Sequence, residues 1–280
     1  MGERGSVIGR TAVITGAAGG IGRALALKAA AEGMAVAAVD IDEAGLSDLA
    51  SALDTAGAQH LMQIVDVSNT EAVVAFAEAV SAWAPSIALV FVNAGIQKLI
   101  DGLRPDLQAW RQVIDVNLYG TVNMVHAFMG RLLDRPEWSQ FVIMGSQASF
   151  IVAPGMAPYV ATKHALWGLA DTLRAELAHT DGHVGISLCA PGRVRSGITL
   201  DRKQLILDEQ GSAAAERYER LLVDPAEAAA LMFDQAVAGR FWIVPSAAPY
   251  SDLVRARVEE LLAAEASGRL EVERQPSGSA

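Results

Sequence analysis

Short apolar runs alternate along the chain with longer stretches in which apolar residues recur at helical spacing. The runs at residues 11–15, 35–40, 61–65, 88–92, 140–144, 185–189 and 241–244 are rich in Val, Ile, Leu and Ala and nearly continuous. A strand covered on both faces reads this way, because neither face needs polar residues for water. Between them, residues 20–33, 43–56, 70–83, 107–133, 158–179 and 225–238 predict helices. Strand and helix in repeated succession predict an α/β fold, a doubly wound parallel sheet of about seven strands with helices on both faces.

No repeat, low-complexity linker or mid-chain change of composition divides the sequence, so a single domain over residues 1–267 is expected. Residues 197–222 are polar and break the rhythm just after a strand end, where ligand crevices open; they predict a mobile substrate lid. Residues 268–280 predict a disordered tail. No run reaches the roughly 18 apolar residues of a membrane span, and residues 1–9 lack the apolar segment of a secretory signal, so a cytoplasmic location is expected. The net charge of −10 argues against nucleic acid, whose phosphates need a basic face. A single cysteine, Cys189, excludes an internal disulfide and reads as a buried strand thiol. His60, His126, His164, His179 and His183 show no metal-ligand spacing, and no metal is expected.

The first apolar run ends in Thr15-Gly16-Ala17-Ala18-Gly19-Gly20-Ile21-Gly22, and a helix begins there. Glycines permit a tight turn and let backbone N–H groups approach a pyrophosphate at the positive end of the helix. Such a turn alone also serves packing. The second run, however, ends in Val39-Asp40, about 20 residues on, where an acid accepts from ribose hydroxyls. Together the two features point to a dinucleotide on a Rossmann-like sheet. Asp40 repels a 2′-phosphate, Ile41 follows it, and Ala17, Ala18 and Gly19 bring no positive charge; NAD is expected rather than NADP.

Tyr159 and Lys163 stand at i and i+4, adjacent on one helix face. A free tyrosine titrates near ~10, and a neighbouring Lys⁺ favours the phenolate that a general base requires. Ser146 follows the strand at 140–144, and its hydroxyl can hold a substrate oxygen beside Tyr159. Ser149 is the fallback.

The TGxxxGxG spacing at residues 15–22, with the Tyr159/Lys163 pair and Ser146, resembles the short-chain dehydrogenase/reductase family over residues 9–196. The resemblance implies a catalytic tetrad of Asn117, Ser146, Tyr159 and Lys163, with Asn117 holding a water in a proton relay to the lysine. It implies that Asp66-Val67 meets adenine and that Asn93-Ala94-Gly95 passes the cofactor ribose. Pro191-Gly192-Arg193-Val194-Arg195-Ser196 resembles the segment that docks the nicotinamide carboxamide, with Ser196 in place of the usual threonine and Thr199 as a second partner. The implied cofactor set is thus Gly16, Gly19, Gly20, Ile21, Gly22, Asp40, Ile41, Asp66, Val67, Asn93, Ala94, Gly95, Tyr159, Lys163, Pro191, Gly192, Val194 and Ser196. The implied assembly is a homodimer or homotetramer paired through helices 107–133 and 158–179, where Trp110, Phe128, Trp167 and Leu173 extend beyond one core-facing stripe. After residue 196 the pattern departs. The ending at 241–246, followed by an apolar helix near 253–264, is similar to dehydrogenases that oxidise benzylic alcohols in lignin-derived aryl ethers, and it puts the family's usual tetramer in doubt.

The leading expectation is an NAD-dependent dehydrogenase of secondary alcohols. The alternatives are an NADP-linked carbonyl reductase of the same family and a catalytically idle NAD-binding protein. A serine hydrolase would need a Gly-x-Ser-x-Gly elbow, and Gly145-Ser146-Gln147-Ala148-Ser149 lacks the second glycine. Ile151, Val152, Pro154, Met156, Ile198 and Leu200 predict an apolar wall, with Gln97 and Gln147 as uncharged partners, suited to a bulky neutral or aromatic alcohol. Arg193 and Arg195 offer the opposite reading, a clamp for a carboxylate.

Overall fold

The computed structural model describes residues 6–84, 86–245 and 251–267. The chain divides into two compact units, Met1–Ala248 and Pro249–Ala280. The helix expected near 253–264 falls within Ser251–Ser267, in the second unit, whereas the sequence reading carried one domain on to residue 267. The expected tail at 268–280 lies outside the described residues.

The first unit opens with β1 (Thr11–Thr15), α1 (Gly20–Ala31), β2 (Ala35–Asp40), α2 (Glu43–Thr55), β3 (His60–Ile64), α3 (Thr70–Trp83) and β4 (Ile87–Val92). Next come α4 (Leu107–Ile114), a π-helical turn (Asp115–Tyr119), α5 (Gly120–Leu133) and β5 (Ser139–Met144). A 3₁₀ turn (Gln147–Ser149), α6 (Ala157–Leu177) and β6 (Val184–Cys189) follow. The unit closes with α7 (Gly197–Gln210), α8 (Ser212–Glu219), α9 (Pro225–Val237) and β7 (Trp242–Ile243). Polar side chains start four of the helices: Asp42, Asn69, Asp106 and Asp224 each accept from a backbone N–H of the first turn.

The strands form one parallel sheet in the order β3-β2-β1-β4-β5-β6-β7. Winding reverses between β1 and β4, and a crevice opens there beyond the carboxyl ends of the strands. Successive strand residues face opposite ways. Ile14 and Phe91 pack with Leu25, Leu49 and Phe233 on one side of the sheet, while Val13 and Val90 pack with Phe76, Phe141 and Leu166 on the other. Phe128 belongs to this second layer, edge-on to Phe76 at 5.9 Å and with no exposed surface. The expectation that Phe128 extends beyond the core is therefore corrected: α5 turns it inward.

Two stretches differ from the sequence reading. The helix expected at 107–133 is helical throughout but carries a π turn within it, held through Asn117 by partners outside the helix. The segment 197–222, expected as a lid and assigned no element from the sequence, forms α7 and α8. α7 buries no residue and α8 buries only Ala215, so no apolar stripe marks either helix in the sequence. Among the described residues no helix is long and apolar enough to cross a membrane.

Candidate active site

The crevice at the strand ends is a groove of about 740 Å³. Its walls include Gly16, Gly19, Gly20 and Ile21 from the β1–α1 turn, and Asp40 and Ile41 from the end of β2. Asp66 and Val67 line it after β3, and Asn93, Ala94 and Gly95 after β4. Ser146, Tyr159, Lys163, Pro191, Gly192, Val194 and Ser196 complete it from β5, α6 and the segment after β6. Of the implied cofactor set and tetrad, Gly22 and Asn117 do not line it. Both lie directly behind the wall.

The glycines divide by role. Gly16 and Gly20 have φ of +65° and +51°, a region that side-chain-bearing residues rarely enter. A β-carbon on Gly22 would stand 2.0 Å from the carbonyl oxygen of Gly16, so Gly22 is required by packing. Gly19 is different: a β-carbon there would meet no atom within 4 Å, so its outer face is open. The turn is braced from β4. Thr15 Oγ1 accepts from Asn93 N–H and Ala94 N–H, both at 3.0 Å, and Asn93 Nδ2 donates to the carbonyls of Thr15 and Gly16 at 3.0 Å. The Asn93 amide N–H groups are therefore spent on the turn, and Thr15, next to the glycines in sequence, is a structural partner that the motif reading passed over.

Asp40 accepts from Ala18 N–H through Oδ2 at 2.9 Å, and from Ile41 N–H and Asp42 N–H through Oδ1 at 2.7 and 3.1 Å. These bonds hold its carboxylate at the groove with the glycine turn on one side and the exposed Ile41 on the other. Asp66 Oδ1 accepts from Ser68 N–H and Oγ–H at 2.9 and 2.7 Å. Asn123 Nδ2 donates to Val67 O at 2.9 Å and fixes that loop from α5.

At the other end, Ser146 caps the 3₁₀ turn, accepting from Ala148 N–H at 3.1 Å, and its hydroxyl lies near enough to Tyr159 to draw the phenol pKa down. Ser149, the fallback, is fully buried behind it, does not line the groove and accepts from Ser146 N–H at 3.3 Å. Lys163 donates to Met144 O at 2.7 Å, and its Nζ lies 5.5 Å from the centre of the Tyr159 ring. Burial lowers the Lys163 pKa to about 8, because a desolvated ammonium is disfavoured. Cys189 beside it keeps its proton, its pKa pushed up by burial, and so brings no compensating charge. Tyr159 is also raised by burial. In the protein alone, burial thus holds the phenol above its ordinary value, with Ser146 as the opposing influence.

Asn117 is buried behind Gly95. Its Oδ1 accepts from Ile96 N–H at 2.8 Å, and its Nδ2 donates to Ile96 O at 3.0 Å and to Thr162 Oγ1 at 3.2 Å. Ile96, Gln97, Val116, Met144, Ile198 and Thr199 also face the groove, together with Lys98, Asp115 and Asp201. Ile151, Val152, Pro154, Met156 and Gln147 are not on its wall, and Leu200 lines a separate recess beside α1. The expected apolar wall is thus mostly misplaced, since the segment after Ser149 turns outward and leaves Val152 66% exposed. Arg193 and Arg195 do not line the groove either: Arg193 lies over the Tyr218 ring at 5.7 Å and Arg195 pairs with Glu219 at 3.0 Å.

Residues 10–205 match the short chain dehydrogenase family. The chain is 37% identical over 185 residues to "Probable oxidoreductase EphD" of Mycobacterium tuberculosis (strain ATCC 25618 / H37Rv), of whose length it spans only 31%. It is 36% identical over 187 residues to the 1-deoxy-11-beta-hydroxypentalenate dehydrogenase of Streptomyces exfoliatus, a match covering 66% of this chain and 67% of that protein. Among solved structures, a short chain dehydrogenase/reductase from Burkholderia phymatum in complex with NAD superposes with a TM-score of 0.83 at 30% identity, over 99% of both chains. Sheet order, glycine turn and these likenesses lead to one assignment: the chain belongs to the short-chain dehydrogenase/reductase family.

Proposed function

We propose that the protein is an NAD-dependent dehydrogenase of secondary alcohols, with Tyr159 as the base that takes the alcohol proton. The observation that carries this reading is the shared groove: Asp40 lines it together with Ser146, Tyr159 and Lys163.

The residues present fit a dinucleotide. Gly19 leaves one face of the turn open at the start of α1, where unpaired N–H groups favour an anion. Asp40 presents a carboxylate suited to ribose hydroxyls, and among the groove residues around it no Arg or Lys offers a seat for a 2′-phosphate. Lys163 has three donors and gives one to Met144, which leaves two for ribose hydroxyls. NAD, when bound, supplies the hydride acceptor and a positive ring charge.

The chain's own residues then manage the proton. Ser146 holds the substrate oxygen beside the phenol, and Tyr159 Oη receives the hydroxyl proton as the C–H bond breaks. Lys163, still largely cationic at neutral pH with a pKa of about 8, stabilises the phenolate that this step needs. Ile96, Met144 and Ile198 offer apolar surface to a bulky substrate, while Lys98 and Asp201 leave room for one polar substituent. A homodimer or homotetramer belongs to the same proposal, supported by the exposed Tyr119 and Val122 at the start of α5. Calorimetric titration with NAD and NADP, followed by assays of NADH formation on secondary alcohols, tests the reading. Tighter binding of NADP, or NAD binding with no turnover of any alcohol or ketone, would replace it with the reductase or the idle binder.

A further inference from the structure

We propose that Thr162 is a positioning residue of this site, its buried hydroxyl keying the Asn117 carboxamide to the helix that carries Tyr159 and Lys163. The inference rests on the dehydrogenase reading above and adds a residue to it.

Asn117 and Thr162 stand 45 residues apart in sequence, on the π turn and on α6, and both are almost completely buried. The Thr162 hydroxyl has one proton to give, and Tyr159 O takes it at 2.8 Å. It therefore accepts the bond from Asn117 Nδ2 at 3.2 Å. A threonine that bonds back along its own helix is ordinary. Here the same oxygen also receives a side chain from another element, in a place that water does not reach. The remaining Asn117 bonds, to Ile96 O and from Ile96 N–H, agree with that orientation. Turning the carboxamide over would set N–H against N–H and carbonyl against carbonyl at Ile96, and would draw the Thr162 proton away from Tyr159 O.

The keyed position matters because of what lies beside it. A β-carbon on Gly95 would stand 3.2 Å from Asn117 Oδ1 and 3.6 Å from Lys163 Nζ, so the two polar heads flank the same glycine at the groove wall. Thr162 immediately precedes Lys163 and bonds the carbonyl of Tyr159. One hydroxyl thus joins the π turn to both groove-facing residues of α6. Without it, the buried Asn117 Nδ2 keeps a proton with no acceptor, and the carboxamide has reason to shift.

Thr162→Val removes the hydroxyl at nearly constant volume, and Thr162→Ser keeps it. We expect kcat to fall between about tenfold and about a hundredfold in the valine variant, with the dissociation constant for NAD changed by less than about twofold. The serine variant should return kcat to within about threefold of wild type. A second readout needs no cofactor: in protein labelled with ¹⁵N-asparagine, the Asn117 side-chain protons should lose exchange protection in the valine variant and keep it in the serine variant. Thr162→Ala replaces the valine variant if that fails to fold. Wild-type kcat and protection in the variant lacking the hydroxyl would overturn the proposal, as would a serine variant no better than valine. If wild-type protein oxidises no alcohol, the dehydrogenase reading fails on its own, and the exchange measurement still decides the keying.

Discussion

Lys163 donates from Nζ to the carbonyl of Met144 at 2.7 Å, tying α6 to the last residue of β5. Ser146 stands two residues beyond Met144, so this one bond fixes the strand end bearing the serine against the helix bearing the tyrosine. It also holds an ammonium where little water reaches it, and that has a measurable consequence.

Folding lowers the Lys163 pKa from 10.5 to about 8. Between those values the unfolded chain binds the proton and the folded chain has released it, so stability must rise with pH across that window. Relative to Lys163→Met, wild-type stability should increase by about 2 kcal/mol from about pH 7.5 to about pH 10. Urea melts of the two proteins at both pH values check this. Parallel pH profiles would mean that Lys163 is hydrated in solution.

Asp40 both faces the groove and accepts three backbone N–H groups, so replacing it with alanine would disturb the turn as well as the charge. Asp40→Asn keeps an acceptor and removes the charge. NADP should then bind about tenfold more tightly than it binds wild type, with a smaller loss for NAD, by calorimetry. An unchanged preference would place the discrimination elsewhere.

Gly22 and Gly19 are neighbours in the motif with opposite surroundings. Gly22→Ala drives a β-carbon into the carbonyl of Gly16 and should destabilise the fold by about 2 kcal/mol or more. Gly19→Ala finds open space at a φ of −152° and should cost less than about 1 kcal/mol. It should nevertheless weaken NAD binding about tenfold, because the new methyl occupies the face that a pyrophosphate approaches. Thermal melts and cofactor titrations of the two variants separate these effects.

The parts legible in the sequence are those that bury apolar residues or bend the backbone sharply. All seven strands, the glycine turn at residues 15–22 and the Tyr159/Lys163 pair belong to this group. α7 and α8 escaped because they bury almost nothing, so their composition carries no stripe at helical spacing. The π turn escaped because Asn117 is held by Ile96 and Thr162, partners distant in sequence that no local pattern reveals. The substrate wall was misread for a similar reason. Apolar residues at 151–156 follow the serine closely in sequence, yet the chain turns them away from the groove.

The central claim is that Tyr159 moves the proton in an NAD-dependent oxidation. The direct measurement is the rate of NADH formation on secondary alcohols by wild type and Tyr159→Phe, beside the NAD affinity of each. The account predicts NADH from the wild-type protein, at a rate that rises with pH as the phenol ionises. For Tyr159→Phe it predicts a kcat lower by about a thousandfold, with NAD bound within about twofold of wild type. A phenylalanine variant that keeps most of its turnover at unchanged NAD affinity would contradict it.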